Sequence, residues 1–276
     1  MRSRPIGLRT IGAVPQIDQP LSISWIGHST VLVEAAGVRL LTDPVLRSRI
    51  AHVRRVAVAP ARIEGEVDAV LVSHVHYDHL DLPSLRLVRA KQLVVPRGAG
   101  RLLERRGFGP VTELAAGEEI SVGALTVRAT HAEHPARRIL GAEKAALGYL
   151  VSTPARLYFA GDTQVFEGMR ELAPGLEVAM LPIWGWGPRV GPGHLDPRAA
   201  AEALRLLAPR LAIPIHWGTY RRMGLSRDPA TLREPAERFE RLAAELAPGV
   251  AVRILSPGER LDLPLEAGST AGVAGE

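Results

Sequence analysis

Between residues 73 and 81 the chain reads Ser73-His74-Val75-His76-Tyr77-Asp78-His79-Leu80-Asp81, so three imidazoles and two carboxylates crowd one short stretch. They follow the apolar run Val67 to Val72, which predicts a short buried strand bounded by Gly65. A chain leaving that strand extended puts His74 and His76 on one side, because side chains alternate with period two. A turn at Tyr77 then presents Asp78 and His79 from another direction. One loop thus offers two ligand pairs aimed at two neighbouring points. Imidazole and carboxylate are ordinary ligands for zinc, manganese or iron. Two such ions about 3.5–4 Å apart form a recognised hydrolytic arrangement. The plainer reading is a polar loop with scattered histidines, but nine histidines in 276 residues rarely gather this way by chance.

The elements that must position this loop follow from periodicity. Residues 1–20 lack it and contain three prolines, which predicts an irregular surface arm. Leu21–Trp25, Val31–Ala35 and Val38–Thr42 read as three consecutive strands, an antiparallel edge to a sheet, with a hairpin at Ala36-Gly37. His28 and Asp43 stand at strand ends, where a capping histidine and a pre-proline turn aspartate are the plainer readings. Residues 45–65 read as a long arginine-rich loop with an exposed His52 of no assigned role. Helices are expected from Pro83 to Ala90, Ala99 to Arg106 and Val165 to Leu172. A further helix from Pro197 to Leu207 is capped by Asp196, and an amphipathic one runs from Pro229 to Leu246. Strands fill the intervals, the last at Val250–Leu255, and residues 264–276 form a frayed small-residue tail. Residues 21–263 therefore form one domain.

Composition bounds the function. With 46% apolar residues, the chain has ample material for a core. There is no cysteine, which removes disulfides and thiolate ligands. No stretch resembles a signal peptide or a membrane span, which predicts a cytoplasmic protein. The net charge of +5 and pI of about 10.2 rest almost wholly on arginine. Aromatics are only 4% and do not interleave with the arginine clusters as base-stacking sites would, so nucleic acid is not the expected partner.

The His74-Val75-His76-Tyr77-Asp78-His79 run resembles the signature of the metallo-β-lactamase superfamily. Later residues occur in that family's order: a third histidine in Thr130-His131-Ala132-Glu133-His134, Asp162 after Phe159-Ala160-Gly161, and His216 before Trp217-Gly218-Thr219. Together with Trp25-Ile26-Gly27-His28-Ser29-Thr30 and Leu41-Thr42-Asp43-Pro44, they look most like the N-acyl-phosphatidylethanolamine phospholipase D branch, akin to ascorbate-6-phosphate lactonase-like proteins. The resemblance implies an α+β fold, a four-layer αβ/βα sandwich in a single domain with the metals at one edge of two sheets. It also implies two divalent ions, zinc or else manganese or iron. His74, His76 and His134 would hold the first, Asp78, His79 and His216 the second, with Asp162 bridging. His131 is the alternative third histidine.

The chemistry implied is hydrolysis by an activated hydroxide, with Asp162, His194 and His28 as catalytic candidates and Asp43 orienting a ligand histidine. Phosphodiester hydrolysis of the phospholipase D type leads, with Arg137, Arg138 or Arg189 meeting the phosphate of a small-molecule or lipid-headgroup substrate. Lactone or ester hydrolysis is the alternative. Nucleic-acid cleavage and a metal-holding regulator without turnover trail behind. The Trp184 to His194 loop, rich in glycine and proline yet carrying Trp184 and Trp186, is expected to wall the substrate site. The competing reading makes both indoles a core plug.

Overall fold

Adjacent residues of the central strands enter different layers, and that alternation builds the molecule. The computed structural model describes residues 21–57, 62–135, 145–153, 155–187, 189–224 and 229–264. The expected arm at 1–20, nearly all of the tail, and Arg137 and Arg138 lie outside them. Strands β1 (Leu21–Gly27), β2 (Thr30–Ala35) and β3 (Val38–Thr42) form an antiparallel meander. The short strands β4 (Arg49–Ile50), β5 (Val53–Arg55) and β6 (Glu66–Val67) precede β7 (Ala69–Leu71). After helix α1 (Leu82–Leu85) come β8 (Arg89–Ala90), β9 (Leu93–Pro96), helix α2 (Gly100–Glu104) and β10 (Val111–Leu114). Strands β3, β7, β9 and β10 run parallel.

The second half opens with the antiparallel series β11 (Glu119–Val122), β12 (Leu125–Ala132), β13 (Ala146–Ser152) and β14 (Arg156–Phe159). A 3-10 turn at Glu167–Leu172 leads to β15 (Leu176–Pro182), helix α3 (Pro197–Leu207) and β16 (Leu211–Ile215). Strand β17 (Tyr220–Arg222), helix α4 (Pro229–Leu246), β18 (Ala251–Val252) and β19 (Arg260–Leu263) complete the chain. One sheet has the order β10-β9-β7-β3-β2-β1-β19 and the other β11-β12-β13-β14-β15-β16-β18.

Leu40, Val31, Val33, Ala69 and Leu71 pack between the sheets, whereas their neighbours Leu41, Leu32, Val70 and Val72 pack outward with Leu85 and Leu103 from the α1 and α2 segments. Helices α3 and α4 cover the other sheet through Leu204, Leu207 and Phe239. The result is the expected four-layer sandwich in a single domain. Asp196 caps α3 by accepting from the Ala199 N–H at 2.8 Å. No helix among the described residues is long and apolar enough to cross a membrane.

Several expected elements are corrected. The helix at 83–90 stops at Leu85, because Arg89–Ala90 pairs in parallel with Glu66–Val67. The helix at 99–106 shrinks to Gly100–Glu104, and of the helix expected at 165–172 only Glu167–Leu172 is wound, as a 3-10 turn. The 45–65 loop carries β4 and β5, which join β17 in a separate three-stranded sheet. The meander is not the sheet edge and Val250–Leu255 is not the last strand, since β19 pairs alongside β1.

Candidate metal centre

The C-terminal ends of β3, β7, β14 and β16 open on one edge, the usual place for a site on parallel strands. Asp43 follows β3, the 73–81 loop follows β7, Asp162 follows β14 and His216 follows β16. His28 stands in the β1–β2 turn and His134 just past β12. Three of these residues have positive φ: His28 at 55°, Asp43 at 31° and His216 at 63°. Such backbone costs of order 1–3 kcal/mol each and persists where its surroundings enforce it. Gly161, at φ 61°, is forced: a Cβ there would stand 2.7 Å from the Leu147 carbonyl oxygen and 2.7 Å from Ser73 Cβ. That close passage delivers Asp162 to the edge.

Two groups of ligand atoms converge there. His74 Nε2 lies 2.9 Å from His76 Nδ1, and His134 Nε2 lies 3.1 Å from the same atom. His28, Asp78, His79 and His216 form the second group. Asp162 stands between, with Oδ2 3.0 Å from His79 Nε2 and 4.0 Å from His74 Nε2, and Oδ1 3.3 Å from His216 Nε2.

The outer hydrogen bonds decide which ring nitrogens carry protons. His79 Nδ1 donates to Asp43 Oδ2 at 2.7 Å, His134 Nδ1 to the Gly193 carbonyl at 2.7 Å, and His216 Nδ1 to the Trp184 carbonyl at 2.6 Å. Ser73 Oγ donates to Asp43 Oδ2 at 2.6 Å and so accepts from His74 Nδ1 at 2.9 Å. In the neutral rings of His74, His134 and His216, the Nε2 lone pairs therefore all face inward, while His79 turns its Nε2 to Asp162 Oδ2. Facing lone pairs repel unless a cation lies between them. Asp162 Oδ1 is moreover buried without a hydrogen-bond partner. Inward nitrogens and an orphaned carboxylate oxygen fit divalent ions of the zinc, manganese or iron type.

Electrostatics agree. Burial, reinforced by neighbouring imidazoles, holds His74 well below the usual histidine value. Burial and His134 push His76 down to about 4, and burial and His28 push His216 to about 3. Burial disfavours the His79 cation too, yet Asp162, Asp43 and Asp78 outweigh it and raise His79 well above its ordinary value. Burial would lift Asp162, but His216 and His79 hold it well below the carboxylate range. Burial opposes ionisation of Asp78 as well, and His79 with the His28 hydrogen bond overcomes it. Asp78 and Asp162 are thus kept ionised and most imidazoles neutral, as metal ligands must be, whereas burial raises the Asp43 carboxyl against the pull of His79 and Ser73.

Every expected ligand reaches this edge. His131 does not: it is exposed with its ring 5.0 Å from Phe166, and His134 takes the inward position. Asp43 buttresses His79, as the sequence suggested. His194 lies at the mouth, its side chain 26% exposed and Nε2 3.2 Å from Asp162 Oδ2. His28, a member of the second group that was not an expected ligand, is buried with Nε2 3.3 Å from Asp78 Oδ2 and its ring 3.8 Å from that of His216. Trp186 bears on Asp78, its Nε1 donating to Oδ2 at 3.0 Å. Arg189 is exposed on the same loop. Sequence reasoning missed the Ser73 hydroxyl, and it missed the Trp184 and Gly193 carbonyls because backbone acceptors leave no residue signature. It also passed over His52, which is exposed but packs edge-on against Trp186 at 4.8 Å. Asp81 takes no part: it caps α1 and pairs with Arg47 at 2.6 Å.

Fold and centre together define a metal-site sandwich, and comparison with known proteins places it. The profile of the Beta-lactamase superfamily domain matches residues 38–217. A UPF0173 metal-dependent hydrolase of Methanopyrus kandleri is 33% identical over 247 residues, covering 87% of this chain and 98% of its own. The N-acyl-phosphatidylethanolamine-hydrolyzing phospholipase D 1 of Caenorhabditis elegans is 32% identical over 232 residues, covering 74% of this chain and 65% of its own. Among solved structures, the metallo hydrolase Igni18 of Ignicoccus hospitalis has a TM-score of 0.68 at 22% identity, covering 89% of this chain and 99% of that one. The chain belongs to the metallo-β-lactamase superfamily and is a metal-dependent hydrolase of that fold.

Proposed function

We propose that the protein hydrolyses a phosphodiester at two divalent metal ions, zinc in the first instance. The observation that carries the reading is the position of Asp162 between two histidine groups, within 4.0 Å of both. His74, His76 and His134 would hold one ion, Asp78, His79 and His216 the other, and Asp162 both. When bound, such a pair supplies an activated water nucleophile and Lewis-acid polarisation of the reacting phosphoryl group. The Caenorhabditis relative, whose name describes hydrolysis of a phosphodiester lipid, supports the reaction class.

The chain's own residues do the rest. Asp43 and Ser73 fix the His79 and His74 rings, and the Gly193 and Trp184 carbonyls fix His134 and His216. His28, buried and bonded to Asp78, is assigned to orient that carboxylate. His194 is assigned to protonate the leaving oxygen from Nε2: it is reachable at the mouth, and although burial opposes its charge, Asp162 raises its proton affinity. Bis(4-nitrophenyl) phosphate tests the proposal. Turnover should vanish on chelation and return with zinc or manganese. A metal-loaded protein that ignores this diester but opens a lactone would overturn the phosphodiester reading.

A further inference from the structure

The small sheet of β4, β5 and β17 has two unlike faces. Its inner face packs Ile50, Val53 and Tyr220 against Val45 and Trp186. Its outer face is a row of guanidinium groups, with Arg49 opposite Arg54 and Arg54 opposite Arg221. Residues directly opposite on antiparallel strands share a face with Cβ atoms about 4.5–5.5 Å apart, so like charges there repel. Arg49 and Arg54 are exposed and Arg221 is half-buried. Among the described residues none of the three pairs with a carboxylate: Arg49 Nε donates to the Ala51 carbonyl and Arg221 Nη1 to the Thr231 hydroxyl, each at 3.3 Å. Elsewhere on the surface arginines stand beside acids, as in Arg97–Glu118, Arg198–Glu202 and Arg253–Glu259. Arginines on edge strands guard against stray pairing, but Arg54 lies on the central strand β5. Such a row calls for an anion from outside the chain.

Apolar groups border the row. Tyr77, Leu87 and Met223 are the exposed large apolar side chains among the described residues, and Tyr77 and Met223 both meet the β4–β5 turn. Met223 follows β17, and its N–H donates to the His52 carbonyl in that turn at 3.1 Å. Tyr77 approaches from the other side, its ring 6.1 Å from that of His52. In the metal loop Tyr77 stands between His76 and Asp78, so this fringe adjoins the metal edge. Cations beside exposed methionine and tyrosine make an amphipathic surface. The charges suit anionic headgroups, and the apolar groups suit the boundary beneath them. A nucleic acid would call for aromatic rings set among the arginines, and a soluble phosphate has no use for an exposed Met223.

We propose that the outer face of this sheet, together with Tyr77 and Met223, docks the protein on an anionic lipid bilayer and brings the metal loop to the headgroup layer. The docking surface stands apart from the chemistry. Only its service to turnover rests on the phosphodiester reading above, since a lipid diester is what such docking would present.

Co-sedimentation of the full chain with extruded vesicles tests this. Vesicles of phosphatidylcholine with phosphatidylglycerol should bind at least about tenfold more tightly than phosphatidylcholine alone, and the preference should shrink in molar salt. The double variant Arg49→Gln/Arg54→Gln loses two exposed cations. It should bind anionic vesicles about twentyfold less tightly, at about fivefold per residue. Met223→Ser should weaken the same binding several-fold and leave its salt dependence unchanged. Both variants should keep the wild-type melting temperature and hydrolyse soluble bis(4-nitrophenyl) phosphate within about twofold of wild type. Binding needs no turnover, so intact vesicle binding without diester hydrolysis would remove the reaction class and keep the surface. Equal binding to neutral and anionic vesicles, undiminished binding by the double variant, or tighter binding to duplex DNA would overturn the surface. Release from the vesicles by millimolar inorganic phosphate at constant ionic strength would also overturn it, by assigning the row to a soluble anion.

Discussion

Asp43 is not itself an expected metal ligand, yet it holds one in place. It is fully buried, accepts from the Ser73 N–H at 2.7 Å and Oγ at 2.6 Å, and takes the His79 Nδ1 proton at 2.7 Å. Removing that charge frees His79 to turn and weakens its basicity toward an ion. Asp43→Asn should therefore lower metal affinity or activity by about 10–100-fold, the range for partners that orient metal-bound histidines, read by competition with a chelating dye. Unchanged affinity would remove Asp43 from the site. Asp162→Asn acts directly. It keeps size but loses the charge facing both histidine groups, and turnover of bis(4-nitrophenyl) phosphate should fall by at least about 10²-fold. Near-normal turnover with full metal content would contradict the bridging role. His216 and Asp43 were visible as residues at strand ends, but their positive φ values were not. Such angles follow from what surrounds the turn, so no local pattern announces them.

At the scale of elements, the loop between β15 and α3 combines the two readings the sequence left open. Trp184 packs against the core between the sheets, while Trp186 packs on the small sheet and bonds Asp78. The indoles therefore divide the work. Trp186→Phe keeps an aromatic ring but loses the N–H donor together with the five-membered ring, so it should reduce kcat several-fold and leave the melting temperature close to wild type. Trp184→Ala removes a half-buried indole from the core and should cost stability, up to the about 3–5 kcal/mol of a fully buried large-to-small change. Thermal melts paired with kinetics distinguish them, and equal losses of Tm in both variants would sink the division.

The central strands were legible because both their faces are covered, giving near-continuous apolar runs such as Val70-Leu71-Val72. The edge strand β19 was not, since Arg260-Leu261-Asp262-Leu263 is short, charged and half solvated. Nor was the three-stranded sheet of β4, β5 and β17, whose third strand lies far from the other two in sequence and whose residues are mostly arginine. The four-residue α1 was overextended because the helical signal of Pro83 ignores the pull of the β6–β8 ladder.

The whole molecule is held across its edge by groups of opposite proton demand, and pH should expose this when metal is removed. His76 and His216 have folded values of about 4 and about 3, below the ordinary 6.5. The unfolded chain therefore binds more protons between those limits, and stability must fall as pH drops from 6.5 toward 4. His79, raised well above 6.5, contributes stability that is complete below 6.5 and is lost as pH rises through its elevated value. The metal-free protein should thus melt lower at pH 4.5 than at pH 6.5. Bound ions should restore Tm by mass action, because they compete with protons for the folded state's ligands. A metal-free Tm independent of pH over this range would refute the burial of neutral imidazoles.

In the proposed mechanism, two ions act together across Asp162. Zinc titrated into chelator-stripped protein, with bound metal and diester turnover followed in the same samples, addresses it directly. Saturation should come at two equivalents per chain, with turnover rising chiefly as the second binds. Binding and turnover both complete at one equivalent would contradict it.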